Sequence, residues 1–450
     1  MAITIDQEPD AHSAISTPLI VTASSTNSSN DGFKWFIELT VASSVTTYYI
    51  SSNPNGYLVY DVAPSVRQYM RNNVAHLPES DTTGSVHSIL RDGLISIAEN
   101  QSYYKTSGFQ SITIKLIEGW DIAGVFTIND ASEISLSKYV YNFLDFTIRN
   151  GFQPSLLAQI GHEDGDQSRL MSDRLPSTYY WQFARLVELN QSNTIYVPTR
   201  ESDWGVWDVR GYYDVDNILN PRKVRISILP NSGAPMQVTY SLDNEEGWSH
   251  LPIYPANLNA SSLAGILKPS DYPNWKAVYF QILNEDDEQV SMTYVMFNVD
   301  RAQTGLCTCH DYQVVRLAWV GRRGGWEYYN FTMLSETEYQ TEQKTAKKVV
   351  GNYGEVASGT DFTFNTFDES EFVTYKKIDK FITASTEKLQ QGEWEFLKGL
   401  ILSKQVHWVH DDGTHTPVII QDTNFRVKNP QAKTLEPLQV RFKIAQDQPN

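Results

Sequence analysis

Side chains able to hold a metal fall together at Cys307-Thr-Cys309-His310. A structural zinc site takes four ligands and usually separates its paired cysteines by about two to four residues, whereas these are the chain's 2 cysteines and one residue lies between them. No zinc site is expected there. His407, His410 and His415 stand close to Asp411 and Asp412, so imidazoles and carboxylates gather at one turn and make a second metal candidate. The same residue types build ordinary polar turns, and the reading adopted is a turn with exposed histidines. His162-Glu163-Asp164-Gly165-Asp166 looks like half of a calcium loop but lacks the bidentate Glu at the far end, so it reads as an acidic loop. Asn284-Glu285-Asp286-Asp287-Glu288 is a charge run at a predicted turn. No metal and no cofactor are therefore expected.

Catalytic motifs give no stronger lead. A G-x-S-x-G elbow, a Walker loop, a dinucleotide fingerprint and H-E-x-x-H are all missing, and among 53 acidic residues spacing cannot single out a glycosidase pair. The chain is read as a non-enzyme. What remains is a contact, Gly321-Arg322-Arg323-Gly324-Gly325 with Trp326 behind it. Val315, Leu317 and Trp319 alternate with their neighbours before it, and Tyr329, Phe331 and Met333 do so after it, which predicts two strands joined by a glycine-rich hairpin tip. Arg and Trp are enriched among interface anchors, so Arg322, Arg323, Gly324, Gly325 and Trp326 are the candidate interaction residues. The plainer reading keeps the tryptophans in the core and leaves the arginines solvated.

From Arg316 to Phe331 the order R-x-x-W, a short gap, G-G-W, polar, aromatic, x-F resembles a segment of structural proteins of tailed bacteriophages, a family common in phages of marine bacteria and Bacteroidetes. Near the N-terminus, Pro18-Leu-Ile-Val-Thr-Ala23, Phe33-Lys-Trp-Phe-Ile-Glu-Leu39 and Asp61-Val-Ala-Pro-Ser-Val-Arg-Gln-Tyr69 are similar to the opening domain of such proteins. Glu393-Trp-Glu-Phe-Leu-Lys-Gly-Leu-Ile-Leu-Ser-Lys-Gln-Val406 and Thr416-Pro-Val-Ile-Ile-Gln-Asp-Thr423 resemble their closing helix and strands. The resemblance implies a virion part of the tail, baseplate or tail-fibre attachment, made in the host bacterial cytoplasm. Its partners would be other virion structural proteins and further copies of itself in a symmetric assembly. A second reading is a carbohydrate-binding adhesin or receptor-recognition tail component, with a host surface glycan as partner, because Trp and Tyr on β-sandwiches stack on sugar rings. Whether Trp204, Trp207, Trp248 and Trp275 are core residues separates the two.

Composition narrows the classes. A chain of 450 residues exceeds one small domain, and 41% hydrophobic content with Tyr 25, Trp 11 and Phe 19 describes a folded, aromatic-rich protein with a leaning to strands. A formal net charge of −17 argues against a duplex-DNA coat, since such binding neutralises phosphates with Lys and Arg. Neither a signal peptide nor an apolar run long enough to span a membrane is read.

The elements that must position the contact are mostly strands. Leu19–Ala23 and Phe33–Leu39 flank a polar turn-forming tract, Thr46–Ile50 and Tyr57–Tyr60 follow, and Asp61 with Pro64 begins a short helix. Gln110–Ile117 and Gly124–Ile128 complete a first domain, while Ser132–Phe146 fits helix and strand equally. Tyr179–Val187, Thr194–Val197, Trp204–Val209, Val224–Leu229, Met236–Tyr240 and Lys276–Leu283 are short runs separated by turns. Further on, Lys344–Val350 and Asp361–Phe367 read as extended, and Ser385 or Thr386 as the cap of a helix reaching about Leu402. A hairpin at Val406–Val409 and Thr416–Gln421 precedes the strict alternation of Leu438, Val440, Phe442 and Ile444. The expected architecture is mainly β, with tandem β-sandwich (Ig/fibronectin-like) domains at 1–130 and 131–305 and a C-terminal α+β domain at 306–450.

Overall fold

The computed structural model describes residues 3–15, 17–41, 43–70, 109–141, 174, 194–211, 222–230, 234–241, 247–252, 254–260, 275–298, 313–321, 325–348, 352–353, 362–363, 369–389, 391–421 and 437–445. The protein is mainly β, with several largely antiparallel sheets, none of them closed among the described residues.

The first part holds β1 (Ile3–Gln7), β2 (His12–Ala14), β3 (Ile20–Ser25), β4 (Lys34–Val41), β5 (Ser44–Ser51) and β6 (Leu58–Asp61). A one-turn helix α1 (Ala63–Arg67) follows, then the long hairpin of β7 (Phe109–Ile122) and β8 (Val125–Tyr141). Two sheets result, ordered β1-β3-β6 and β2-β8-β7-β4-β5. Successive side chains of a strand face opposite ways, so Trp35, Ile37, Leu39 and Val41 of β4 share a face with Ile112, Ile114 and Leu116 of β7. That face meets Val21, Ala23 and Leu58 of the smaller sheet, with Val62 and Val66 at the helix, in one core. Asp61 ties the helix in: its Oδ1 accepts from Leu19 N at 2.8 Å and from Ala63 N at 3.0 Å. The ambiguous stretch after Ser132 is strand as far as Tyr141, because β7 and β2 on either side supply its backbone partners.

The β7–β8 ladder slips between Leu116 and Glu118. There Glu118 is fully buried and accepts from Asn27 Nδ2 at 2.7 Å, Ser132 Oγ at 2.6 Å, Asn129 Nδ2 at 3.1 Å and Ser25 Oγ. Neutral donors occupy the lone pairs that a carboxylate offers, which lets the charge sit inside the sheet. Beyond it the hairpin turns at Ala123 (φ 57°) and Gly124 (φ 82°), the two left-handed positions of a type I′ turn. Ala suits the first position poorly, whereas Asn tolerates it. Ala123→Asn is expected to add about 0.5–1 kcal/mol of stability, read as a rise in melting temperature. An unchanged melting temperature would show that the hairpin end is not part of the cooperative unit.

The middle part holds β9 (Thr194–Thr199), β10 (Trp207–Gly211), β11 (Lys223–Pro230), β12 (Met236–Ser241), β13 (Gly247–Leu251), the short helix α2 (Pro255–Ala260), β14 (Trp275–Leu283) and β15 (Thr293–Asn298). Five strands order as β12-β11-β14-β15-β9, and β10 pairs with β13. β9 joins β15 in parallel, so β15 is an inner strand, and its residues from Thr293 to Phe297 are buried on both faces.

The last part holds β16 (Val315–Val320), β17 (Trp326–Phe331), β18 (Ser335–Lys347), β19 (Asn352–Tyr353), β20 (Phe362–Thr363), β21 (Glu371–Lys388), helix α3 (Gln391–Leu402), β22 (Val406–Val409), β23 (His415–Ile420) and β24 (Pro437–Ile444). β19 pairs with β20, and the other seven strands form one sheet ordered β17-β16-β22-β23-β24-β21-β18. Helix α3 lays Phe396, Leu397 and Leu400 on Leu317, Trp319, Val440 and Phe442. Gly399 lets it settle, since a Cβ there would lie 3.1 Å from Trp319 Nε1. The helix starts later than expected. Ser385 is drawn into the ladder opposite Gln439, and Thr386 Oγ1 accepts from Leu438 N at 2.8 Å, so both hydroxyl residues serve the sheet and neither caps the helix. β18 begins well before the extended run expected from Lys344, because it is polar and exposed along its length, and β21 is a strand that was not expected, because its Phe372, Val373, Tyr375 and Ile378 fall at no strict alternation.

Candidate functional site

All six residues of β16 are buried. Val315, Leu317 and Trp319 pack in the core under α3, while Arg316 faces the segment 200–206 of the middle part. Arg316 is 3% exposed and lies with its guanidinium over Tyr254 and Tyr328, 4.7 and 4.8 Å from the ring centres. Its Nε donates to Trp204 O at 2.9 Å, and its Nη1 donates to Asn330 Oδ1 at 2.9 Å and sits 3.3 Å from Asp203 Oδ2.

Asp203 is fully buried. Its Oδ2 accepts from Arg200 N at 2.9 Å and Asn330 Nδ2 at 2.6 Å, and its Oδ1 accepts from Arg200 Nε at 3.0 Å. Arg200 Nη2 bridges to Asp411 Oδ1 at 3.1 Å, and Trp204 Nε1 donates to Asp411 O at 3.0 Å. Two arginines thus meet two aspartates, and the group is neutral as a whole. Burial pushes the Asp203 carboxyl up, but Arg316 and Arg200 together outweigh it and hold the carboxyl below its ordinary range. Burial likewise works against the Arg200 cation, and Asp203 with Asp411 more than restores it. Gly205 completes the contact: its N–H donates to Asn257 Oδ1 at 2.9 Å, and a Cβ would meet both Tyr254 and Tyr328 at 2.9 Å. With its oxygens engaged by cations and amides, Asp203 braces the two parts and is poorly placed to take a substrate proton.

A row of histidines lies alongside. His407 is buried between Trp326, 5.2 Å away, and His415, 4.9 Å away, both rings tilted against it. This corrects the expectation of exposed histidines, since strand pairing places His407 beneath the hairpin tryptophan. Burial, with His415 adding to it, pushes the His407 imidazole down to about 3. His410 instead lies tilted against Trp408, ring centres 4.5 Å apart, and holds Thr416 Oγ1 at 2.9 Å from its Nε2. Asp412 caps the turn through Thr414 N at 2.9 Å, and Asp411 is committed to Arg200 and Trp204. Among the described residues no group of three His, Cys, Asp or Glu side chains is placed to hold a metal.

Of the hairpin tip, Arg322, Arg323 and Gly324 lie outside the described residues; Gly321 N donates to Gly325 O at 2.7 Å and Trp326 is 2% exposed. Cys307, Cys309, His310 and the run 162–166 also lie outside them, as does 179–187. Trp207 is a core residue against Phe280 and Tyr294, at 4.8 and 5.2 Å. Trp248 falls in β13 and Trp275 in β14. The charge run 284–288 forms the turn between β14 and β15, where Lys223 Nζ meets Asp287 Oδ1 at 2.8 Å.

Arg200, Asp203, Arg316 and Asn330 are not singled out by the sequence, and Asp411 is singled out there only as a candidate metal ligand beside the histidines, whereas the structure commits it to Arg200 and Trp204. One signal was there: an arginine inside Val315-Arg-Leu-Ala-Trp-Val320, a strand otherwise without polar residues, calls for a buried anion. No family model and no curated protein matches this sequence.

Proposed function

We propose that the chain is a non-enzymatic structural and assembly protein of a phage virion, in the tail, the baseplate or the tail-fibre attachment. In this reading it consists of tandem β-sandwich (Ig/fibronectin-like) domains and a C-terminal α+β domain, assembles with other virion proteins and copies of itself, and reaches the virion after synthesis in the host bacterial cytoplasm. The observation that carries the reading is the ribbon of β18 and the first half of β21, which among the described residues runs out past the rest of its sheet with Tyr339, Val373, Tyr375 and Ile378 exposed. A surface of this kind gains stability when another subunit covers it. The doubled arginine Arg322-Arg323 on an acidic chain suits an acidic neighbour in the same assembly.

The test is mass spectrometry and immuno-electron microscopy of purified virions. The protein is expected in the tail fraction at a fixed copy number, and its absence from virions would overturn the reading. A second reading, a carbohydrate-binding adhesin, draws on the exposed Tyr49 and Tyr339 as stacking surfaces, although Trp207 is taken up by the core and the Trp204 indole N–H by Asp411. Saturable binding to host polysaccharide would favour it.

A further inference from the structure

The edge strand β18 carries an order in its charges that points to a partner. Reading from Ser335 to Lys348, the acids Glu336, Glu338 and Glu342 come first and the bases Lys344, Lys347 and Lys348 follow. Among the described residues β18 ends its sheet, with β21 on one side and no strand on the other. Among the described residues β24 pairs with β21 only from Phe381 to Lys388, and there the ribbon from Glu371 to Lys380 is two strands wide. Two-stranded ribbons are marginal in water by themselves. Tyr339, 62% exposed, and Ile378, 51% exposed, share one of its faces, since cross-strand partners Tyr339 and Lys380, and Thr341 and Ile378, point to the same side at alternate positions.

We propose that β18 pairs edge to edge, antiparallel, with β18 of a second copy of this chain. The proposal deepens the assembly reading and rests on it. Charges on an edge strand ordinarily keep other strands away. A merely repulsive edge needs no sequence of signs, whereas here the sign reverses midway. An antiparallel twofold pair is the arrangement that sets the acidic half of each copy against the basic half of the other, and a parallel pair sets like against like. Because opposed residues must share a face, the twofold axis runs through a residue that meets its own copy. With the axis at Thr341, Glu338 stands opposite the partner's Lys344, and Lys344 stands opposite the partner's Glu338. The Arg441 bridge to Glu338, 2.7 Å from Nη2 to Oε2, comes from within the same sheet, and half of the Glu338 side chain remains exposed to a second cation. The register of β18 is unbroken at this point, since the extra residue where the ladder shifts, Thr374, belongs to β21. Pairing would join two seven-stranded sheets into one continuous sheet.

The test uses the full chain with Cys307→Ser and Cys309→Ser, and adds either Thr341→Cys or Glu336→Cys. Copies of residue 341 meet at the axis within disulfide range, whereas copies of residue 336 are about 34 Å apart at the rise of an antiparallel strand. Sedimentation velocity of the unsubstituted chain is expected to show a dimer, and mild oxidation to link the Thr341→Cys chain and not the Glu336→Cys chain. Lys344→Glu should weaken the dimer about tenfold, with an unchanged far-ultraviolet circular dichroism spectrum as the check on folding. A monomer at all concentrations, equal cross-linking at both positions, or a dimer indifferent to Lys344→Glu would overturn the pairing. The two readings fail separately: a dimer of this kind in a protein missing from virions would sink the virion assignment alone, and a strict monomer found in the tail would sink the pairing alone.

Discussion

Asp203→Asn is expected to lower the stability of the protein by about 3–5 kcal/mol, the range for removing one member of a buried ion pair. The substitution keeps the shape and takes away the charge, so Arg316, 3% exposed, and Arg200 would face an amide where a carboxylate had balanced them. The tyrosine faces on Arg316 soften the loss, as cation–π contacts are worth about 2 kcal/mol when desolvated. They do not replace an anion. Joining Asp203→Asn to Arg316→Met removes both charges together, and the double variant should be more stable than the sum of the single losses allows. Urea unfolding of the four proteins measures this coupling, and a loss below about 1 kcal/mol for Asp203→Asn would refute the brace. The acid limb follows the same logic. A carboxyl whose folded pKa lies below its ordinary 3.8 contributes stability that is present above 3.8 and is lost as the pH falls through the lower folded value.

The larger pH effect at milder acidity comes from His407. Its imidazole titrates at 6.5 when free and is pushed down to about 3 in the folded protein, so between those values the unfolded chain binds a proton that the folded chain refuses. The contribution to stability is complete above 6.5 and drains away as the pH falls toward 3. At about 1.4 kcal/mol per unit, lowering the pH to 5 should cost about 2 kcal/mol from this residue. His407→Phe keeps a ring between Trp326 and His415 and removes the titration, so its melting temperature should fall less steeply between pH 7.5 and pH 5 than that of the unsubstituted protein. Parallel slopes would assign the acid sensitivity elsewhere, with His410 and His415, both held below their ordinary value by burial, next in line.

Where one face of a strand is dry and the other wet, the sequence announced the element. β11 and β24 alternate apolar and polar residues, and the helical spacing of Trp394, Leu397 and Ile401 marks the face of α3. The reading faltered where that contrast vanishes. β18 is wet on both faces and offers no pattern, whereas β16 is dry on both, with its arginine pointing into a second contact. Residues 203, 316 and 411 are far apart along the chain, and spacing carries no information about partners brought together by separate sheets. The hydroxyls of Ser385 and Thr386 read as a helix cap because a cap and a strand end use the same chemistry.

The parallel pairing of β2 with β8 sets a schedule for synthesis. His12 takes its place beside Tyr139, so its partner leaves the ribosome on the order of a hundred residues later, a delay on the order of ten seconds at roughly 5–20 residues per second. β4 and β5 can close their hairpin early, yet the face bearing Trp35, Ile37 and Leu39 gains its neighbours Ile112, Ile114 and Leu116 only when β7 emerges. For that interval the edge of β4 that β7 will take is without its ladder partner, and unpaired strand edges make folding intermediates prone to aggregate. Slower translation before β7 is therefore expected to lengthen the time for which that edge is open and to lower the yield of folded protein.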